Sequence, residues 1–183
     1  MKVAICDYRA GNTRSVTAAL ARLGAEPFVT ADPGAVLDAG ATVLPGVGSA
    51  ASAMGALRAS GVDEALRERV ALGRPTIGIC LGLQLALDGS DEDGGVEGLG
   101  LVPGRAVRIR EGRVPRIGWA VVEPLGEAFY FAHSYAAETA AATATSEGLV
   151  AEVRAGSFLG VQFHPEKSGV AGARYLERCL SLA

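Results

Sequence analysis

The most informative segment of the chain is Gly78-Ile79-Cys80-Leu81-Gly82-Leu83-Gln84. An apolar run, 75–79, leads directly into residues that favour a helix, and Cys80 stands at the junction. A glycine two residues away on either side removes the side chains that would crowd a tight strand-to-helix turn. The pattern therefore predicts a buried parallel strand, a sharp turn and a helix, with the Cys80 thiol presented at the turn.

Strand and helix signals alternate along the first half of the chain. Short apolar runs at 2–6, 27–30 and 41–44 are separated by helix-forming stretches, several of which end at glycine. From Leu99 onward β-rich runs alternate with turn signals until a closing helix over 170–182. We expect an α/β fold in a single domain, 1–183: a doubly wound, mostly parallel sheet flanked by helices, with an antiparallel, strand-rich C-terminal half.

The composition excludes several classes of function. The chain has 183 residues, of which 49% are hydrophobic and 20% charged, and its net charge is −3. It has no excess of Lys and Arg to bind a phosphate backbone, so nucleic acid is not an expected partner. No run approaches the roughly 20 apolar residues that a membrane span needs. The start reaches Asp7 too early for a secretory signal, and we expect a cytoplasmic protein.

The soft-ligand side chains are few enough to compare individually: Cys6, Cys80, Cys179, His133 and His164. Their wide spacing offers neither a disulfide framework nor a zinc motif, so we expect no metal and no cofactor. A thiol nucleophile with an imidazole base is the alternative. The glycine-framed turn favours Cys80, whose position at a helix N-terminus favours a thiolate, whereas Cys6 and Cys179 are expected in the core.

His164 is the more promising of the two imidazoles, because a strand ends there in His164-Pro165-Glu166. Proline keeps the preceding residue out of the helical region, and strand alternation would then place His164 and Glu166 on the same side. Glu166 could fix the imidazole tautomer while the other ring nitrogen faces a nucleophile. His133 has no adjacent carboxylate and could instead contact a ligand.

Together these segments resemble the class I (triad) glutamine amidotransferases, in which residues 78–84 match the nucleophile motif and residues 164–166 the His/Glu pair. Four further segments resemble one subfamily, the glutaminase subunit of imidazole glycerol phosphate synthase: Pro45-Gly46-Val47-Gly48, Ile117-Gly118-Trp119, His133-Ser134-Tyr135 and 162–168. The nearest alternative is the glutaminase subunit of anthranilate or aminodeoxychorismate synthase. Those proteins more often carry His in place of Leu83 and Pro-Gly-Pro-Gly at 45–48.

The resemblance implies that Cys80 attacks the side-chain amide of L-glutamine, that His164 moves the proton and that Glu166 orients His164. Ammonia leaves, and water hydrolyses the thioester to glutamate. The residues implied to form the oxyanion hole and to bind glutamine are Val47, Gly48, Leu81, Gln84, Ser134 and Tyr135.

The resemblance also implies a partner, the (β/α)8-barrel cyclase subunit of imidazole glycerol phosphate synthase, which receives the ammonia within a heterodimer. Asn12, Trp119 and Lys167 are the positions expected at the docking surface. Arg9, Ala50 and Ala120 depart from the usual pattern of the subfamily. Two other functions stay open from the residues alone: a binding module that has lost turnover, and a cysteine hydrolase acting on another substrate.

Overall fold

A seven-stranded sheet runs through the computed structural model, which describes residues 1–8 and 12–181. In the described part of the chain the strand bounds are, in order, β1 (Lys2–Cys6), β2 (Glu26–Thr30), β3 (Ala41–Leu44), β4 (Thr76–Ile79), β5 (Leu87–Ser90), β6 (Val96–Glu97), β7 (Val102–Arg108), β8 (Arg116–Val122), β9 (Glu127–His133), β10 (Tyr135–Glu138), β11 (Ala142–Ser146), β12 (Leu149–Ala155) and β13 (Phe158–Val161). The α-helices are α1 (Thr13–Arg22), α2 (Pro33–Asp38), α3 (Ala50–Ser60), α4 (Val62–Ala71), α5 (Leu81–Ala86) and α6 (Gly169–Ser181).

The main sheet has the order β11-β12-β13-β4-β3-β1-β2. Its strands from β13 to β2 are parallel to their neighbours, whereas β12 and β11 are added in antiparallel orientation. The strands β3 and β4 are buried along their whole length, which explains why their sequences are apolar without alternation. One core cluster packs α1 and α6 on the sheet, and a second packs α2 to α5. The predicted doubly wound architecture is therefore confirmed.

The second half of the chain forms the predicted antiparallel pairs. The strands β8 and β9 make a two-stranded ribbon, and β10, β7, β5 and β6 form a smaller mixed sheet. The helix α2 was not expected from the sequence, although Asp32 caps it by accepting from the Ala35 N–H. Arg9, one of the noted departures, lies outside the described residues.

The strand β13 returns from this second half to the centre of the main sheet, where it pairs in parallel with β4. The carboxyl ends of β1, β3, β4 and β13 consequently meet at one edge of the sheet. This edge is where ligands bind in open α/β sheets, and the residues that follow these four strands build the site described next. Among the described residues no helix is both long and apolar enough to cross a membrane.

Candidate active site

Cys80 occupies a sharp turn between β4 and α5. Its φ of 53° and ψ of −107° lie in a region that non-glycine residues rarely adopt, and its N–H donates to the Val161 carbonyl at 2.7 Å. A Cβ at Gly78 would lie 2.7 Å from Cζ of Phe158, and a Cβ at Gly82 only 1.9 Å from the carbonyl oxygen of Leu44. The prediction that the positions flanking the cysteine must lack side chains is confirmed.

The other two thiols belong to the core, as predicted. Cys6 is 1% exposed and Cys179 is 6% exposed, and both are members of the apolar clusters that pack against the main sheet. Burial raises the pKa of each of these thiols to about 12. Neither thiol is therefore a candidate nucleophile at neutral pH.

The imidazole of His164 lies between a carboxylate and the Cys80 thiol. Its Nδ1 is 2.9 Å from Oε1 of Glu166, and both side chains are almost completely buried. His164 is extended, as predicted, but the chain does not continue as a strand, because Pro165–Lys167 is a 3-10 helix. The argument from strand alternation was therefore wrong: the turn of this helix brings the Glu166 carboxylate back to the imidazole.

The electrostatics of this pair favour a protonated imidazole. Burial lowers the pKa of His164, but hydrogen bonds to Cys80 and Glu166 together with the charges of these groups outweigh it and raise the pKa to about 9. At neutral pH the His164 ring therefore carries a proton next to the sulfur. An imidazolium in this position can stabilise a thiolate and donate a proton to a leaving group.

His133 has a different environment. Its pKa is lowered to about 4, mainly by burial, so the ring is neutral at physiological pH. Its Nδ1 lies 2.9 Å from the Tyr135 carbonyl, which can only accept, so Nδ1 carries the proton. The structure thus places His133 in a supporting position beside the ligand cleft, while His164 is the imidazole that contacts Cys80 and Glu166.

Cys80 lines a cleft of about 260 Å³. The residues that the sequence assigned to glutamine and its oxyanion all line this cleft, namely Val47, Gly48, Leu81, Gln84, Ser134 and Tyr135. Glu92 also lines it and was missed, although it belongs to an acidic, glycine-rich loop that follows the nucleophile segment. Its carboxylate accepts a hydrogen bond from the Ala50 N–H at 2.9 Å, which fixes it at the start of α3.

Comparison with known proteins identifies the family of the chain. The family model for glutamine amidotransferase class-I matches residues 4–182. The chain belongs to the class I glutamine amidotransferases. This amidotransferase is 44% identical to the imidazole glycerol phosphate synthase subunit HisH of Carboxydothermus hydrogenoformans, over 94% of this chain and 96% of the relative. It is 42% identical to the subunit HisH of Methanothermobacter thermautotrophicus, over 98% of each chain.

Solved structures share the fold at lower identity. A glutamine amidotransferase crystal structure has a TM-score of 0.79 and 23% identity, and covers 99% of each chain. The structure of PurLQS from Thermotoga maritima has a TM-score of 0.78 and 19% identity, and covers 99% of this chain and 98% of that one.

The loop after β3 forms one wall of the amidotransferase cleft and is held at both ends. At its start the Tyr8 hydroxyl donates a hydrogen bond to the Pro45 carbonyl, and at its end Glu92 holds the first residue of α3. Between these anchors Val47 and Gly48 are exposed, and Gly48 has a φ of 104°. These two hydrogen bonds fix the ends of the loop and leave Val47 and Gly48 between them. Asp7-Tyr8 matches the usual pattern of the subfamily, but the sequence alone indicates no role for Tyr8.

The residues expected at a docking surface lie in different environments. Trp119 is 59% exposed in β8, on the same face as the exposed Ile117 and Val121, and Lys167 is exposed in the 3-10 helix after His164. Asn12 is partly buried and precedes α1 without capping it. Its side-chain amide instead donates to Oε1 of Glu166 at 3.3 Å.

Metal ligands are not gathered anywhere in residues 1–8 and 12–181. Within these ranges no three side chains of His, Cys, Asp or Glu form a group that could hold an ion.

Proposed function

We propose that this amidotransferase is the glutaminase subunit of imidazole glycerol phosphate synthase and hydrolyses glutamine to glutamate and ammonia for histidine biosynthesis. The observation that carries the chemistry is the buried His164 imidazole, which is hydrogen-bonded to Glu166 and whose pKa is raised by its interactions with Glu166 and Cys80. The similarity to subunits named HisH extends over almost the whole chain, and it favours this subfamily over the anthranilate and aminodeoxychorismate synthases.

In the first half of the reaction the Cys80 thiolate attacks the amide carbon of the glutamine side chain. The His164 imidazolium donates its proton to the leaving nitrogen, the C–N bond breaks and ammonia departs, which leaves a glutamyl thioester. In the second half His164 accepts a proton from water, and the resulting hydroxide displaces the sulfur to yield glutamate. Glu166 holds the ring in the orientation that both proton transfers need.

The tetrahedral oxyanion would be held by the N–H of Leu81 and by a peptide N–H around Val47 and Gly48. The carboxylate of Glu92, which is partly buried, lines the cleft and suits the positively charged α-ammonium group of glutamine. Gln84, with Ser134 and Tyr135, supplies polar groups to the rest of the substrate. Glu92 therefore joins the residues proposed to select glutamine.

The proposed partner is the (β/α)8-barrel cyclase subunit, which receives the ammonia. The exposed apolar stripe of Ile117, Trp119 and Val121 borders the mouth of the cleft, because Ile117 also lines the cleft. An exposed apolar stripe beside the cleft in which ammonia would be released suits a docking surface. Lys167 is exposed directly after Glu166, and Asn12 donates to Oε1 of Glu166, so both lie beside the carboxylate of the proposed triad.

The experiment measures glutamate release from glutamine with the chain alone, with the cyclase subunit, and with the cyclase subunit plus its nucleotide substrate. We expect the strongest turnover in the third mixture and none with Cys80→Ala in any mixture. The Cys80→Ala complex should still form cyclase product from added ammonium salt, because only the glutaminase step is removed.

The other outcomes identify the alternatives. Stimulation by an anthranilate-type synthase subunit instead of the cyclase would move the chain to the nearest alternative subfamily. No glutamate from any mixture, together with Cys80 inert to an electrophilic glutamine analogue, would indicate a binding module. A Cys80 that hydrolyses another amide but not glutamine would indicate a different cysteine hydrolase.

A further inference from the structure

We propose that Gln162 is a further catalytic residue, whose side-chain amide donates an N–H to the Cys80 sulfur and is aimed there by Gln84. The inference rests on the proposed role of Cys80 as the nucleophile. Gln162 was part of a sequence motif resembling the family, but neither the residue pattern nor the proposed mechanism gives it a function. The structure places its Nε2 3.5 Å from Sγ of Cys80.

Gln162 is fully buried, directly after β13 and two residues before His164. A buried amide that lacked hydrogen-bond partners would destabilise the fold. Here the side chain has partners at both ends, since Oε1 accepts from Nε2 of Gln84 at 3.0 Å and Nε2 reaches the sulfur. A residue that merely filled the core at this point could be apolar, so its amide needs another explanation.

The direction of this hydrogen-bond chain follows from one backbone carbonyl. The oxygen of Tyr135 can only accept, and Nε2 of Gln84 lies 2.8 Å from it. Nε2 of Gln84 also contacts the side-chain amide of Gln162. Because Nε2 is a donor, the Gln162 atom that it contacts is the acceptor Oε1. If the Gln162 amide were flipped, its Nε2 would face Nε2 of Gln84, and neither donor would have an acceptor. The Nε2 of Gln162 therefore faces Cys80.

The position of the donor suits the reactive form of the sulfur. On another side of Cys80, the Ala132 carbonyl lies 3.8 Å from Sγ and can accept from the neutral S–H. Once the thiol is ionised, the partial negative charge of this carbonyl oxygen faces the negative sulfur and destabilises the thiolate. The Gln162 N–H, like the His164 imidazolium, points a positive dipole or charge at the thiolate and opposes that effect. Because Gln84 lines the cleft, the same chain of bonds joins the glutamine site to the sulfur.

Two variants remove the donor in different ways. Gln162→Met keeps the length of the side chain, and Gln162→Glu keeps its shape and the acceptor for Gln84 but turns an oxygen toward the sulfur. We expect each to lower kcat at least tenfold with less change in KM, using the complex with the cyclase subunit and its nucleotide. We also expect the pH midpoint for alkylation of Cys80 by iodoacetamide, followed by peptide mass spectrometry, to rise by about one unit or more.

Thr42→Val is the matched control, because Thr42 is also fully buried and bonded, through Oγ1, to the Val36 carbonyl at 3.0 Å away from the cleft. It should lower stability and leave the alkylation midpoint unchanged. If Gln162→Met does not fold, Gln162→Glu decides, since it retains the bond to Gln84. A wild-type alkylation midpoint in a folded variant would overturn the inference, even if kcat fell. A failure of the proposed function itself would be recognised separately, because glutaminase activity would then survive in Cys80→Ala.

Discussion

Replacing Gly82 by alanine would add a single methyl group at the point where the nucleophile turn touches the sheet. The new Cβ would lie 1.9 Å from the carbonyl oxygen of Leu44 and 2.9 Å from its carbonyl carbon. Real Cβ atoms are essentially never found within 3.0 Å of a heavy atom outside their own residue and its chain neighbours, so the oxygen lies about 1.1 Å too close. The obstructing atom is backbone of β3, which is buried and paired with β1 and β4 and therefore has no rotamer to change.

The turn that carries Cys80 must give way instead. Overpacking of this kind costs about 1–3 kcal/mol, and for a chain of this size each kcal/mol lowers Tm by roughly 2–4 °C. A shift of about 1 Å at a reacting group lowers the rate on the order of 100-fold. We therefore expect Gly82→Ala to lower Tm by about 2–12 °C and glutaminase turnover in the cyclase complex by about two orders of magnitude.

Circular dichroism during heating and glutamate release provide the two measurements. Gly55→Ala is the matched control, since Gly55 lies in α3 with nothing within 4 Å of an added Cβ, and alanine is the better helix former by about 1 kcal/mol. That variant should be fully active and no less stable than the wild type. Wild-type Tm and turnover in Gly82→Ala would contradict this prediction, because the sheet would then accommodate the methyl group without displacing Cys80.

Three further changes test other parts of the structure. The folded-state pKa of His164, raised to about 9 from 6.5, means that its protonation stabilises the fold fully below about pH 6.5 and that this contribution is lost as the pH rises through 9. Glu166→Gln should therefore reduce the free energy of unfolding in urea more at pH 6 than at pH 9.5. Arg69 is fully buried and donates to several backbone carbonyls, so Arg69→Met should cost at least about 3 kcal/mol by the same assay. Trp119→Ala should weaken binding of the cyclase subunit, measured by calorimetry, by about tenfold or more without changing Tm.

Each of these has a control or a contradicting result. An equal loss of stability at pH 6 and 9.5 would show that Glu166 does not act through the His164 proton. Arg58→Ala, which breaks an exposed ion pair with Glu97, should cost no more than about 1 kcal/mol, and a similar cost for Arg69→Met would contradict the buried network. Leu72→Ala removes a side chain as exposed as Trp119 at the far end of α4 and should not alter the affinity.

Those features of the site that depend on residues close together in the chain could be predicted from the sequence. The glycines around Cys80 are required by the steric demands of one turn, and the structure shows the contacts that they avoid. The core positions of Cys6 and Cys179 follow from their apolar surroundings in the sequence, and both are buried. The contact between His164 and Glu166 was also expected, although for the wrong local conformation.

Residues whose roles depend on distant partners could not be found in this way. Glu92 enters the cleft because its loop packs on the start of α3, some forty positions earlier in the chain. The role proposed for the Gln162 amide depends on its contacts with Gln84 and Cys80, which form only in the folded chain. Tyr8 contacts the loop after β3 because β1 and β3 are neighbours in the sheet.

From the sequence one could predict the doubly wound class, the sharp turn at Cys80 and the types of the candidate catalytic residues, because short-range sterics, burial and periodicity act between residues close in the chain. The pairing of β13 with β4, which brings His164 to the turn at Cys80, is a property of the folded structure. That pairing depends on the summed packing of both faces of the sheet, which no short segment contains. The pKa of His164 and the direction of the Gln162 amide follow from the same packing, since each depends on groups that it buries together.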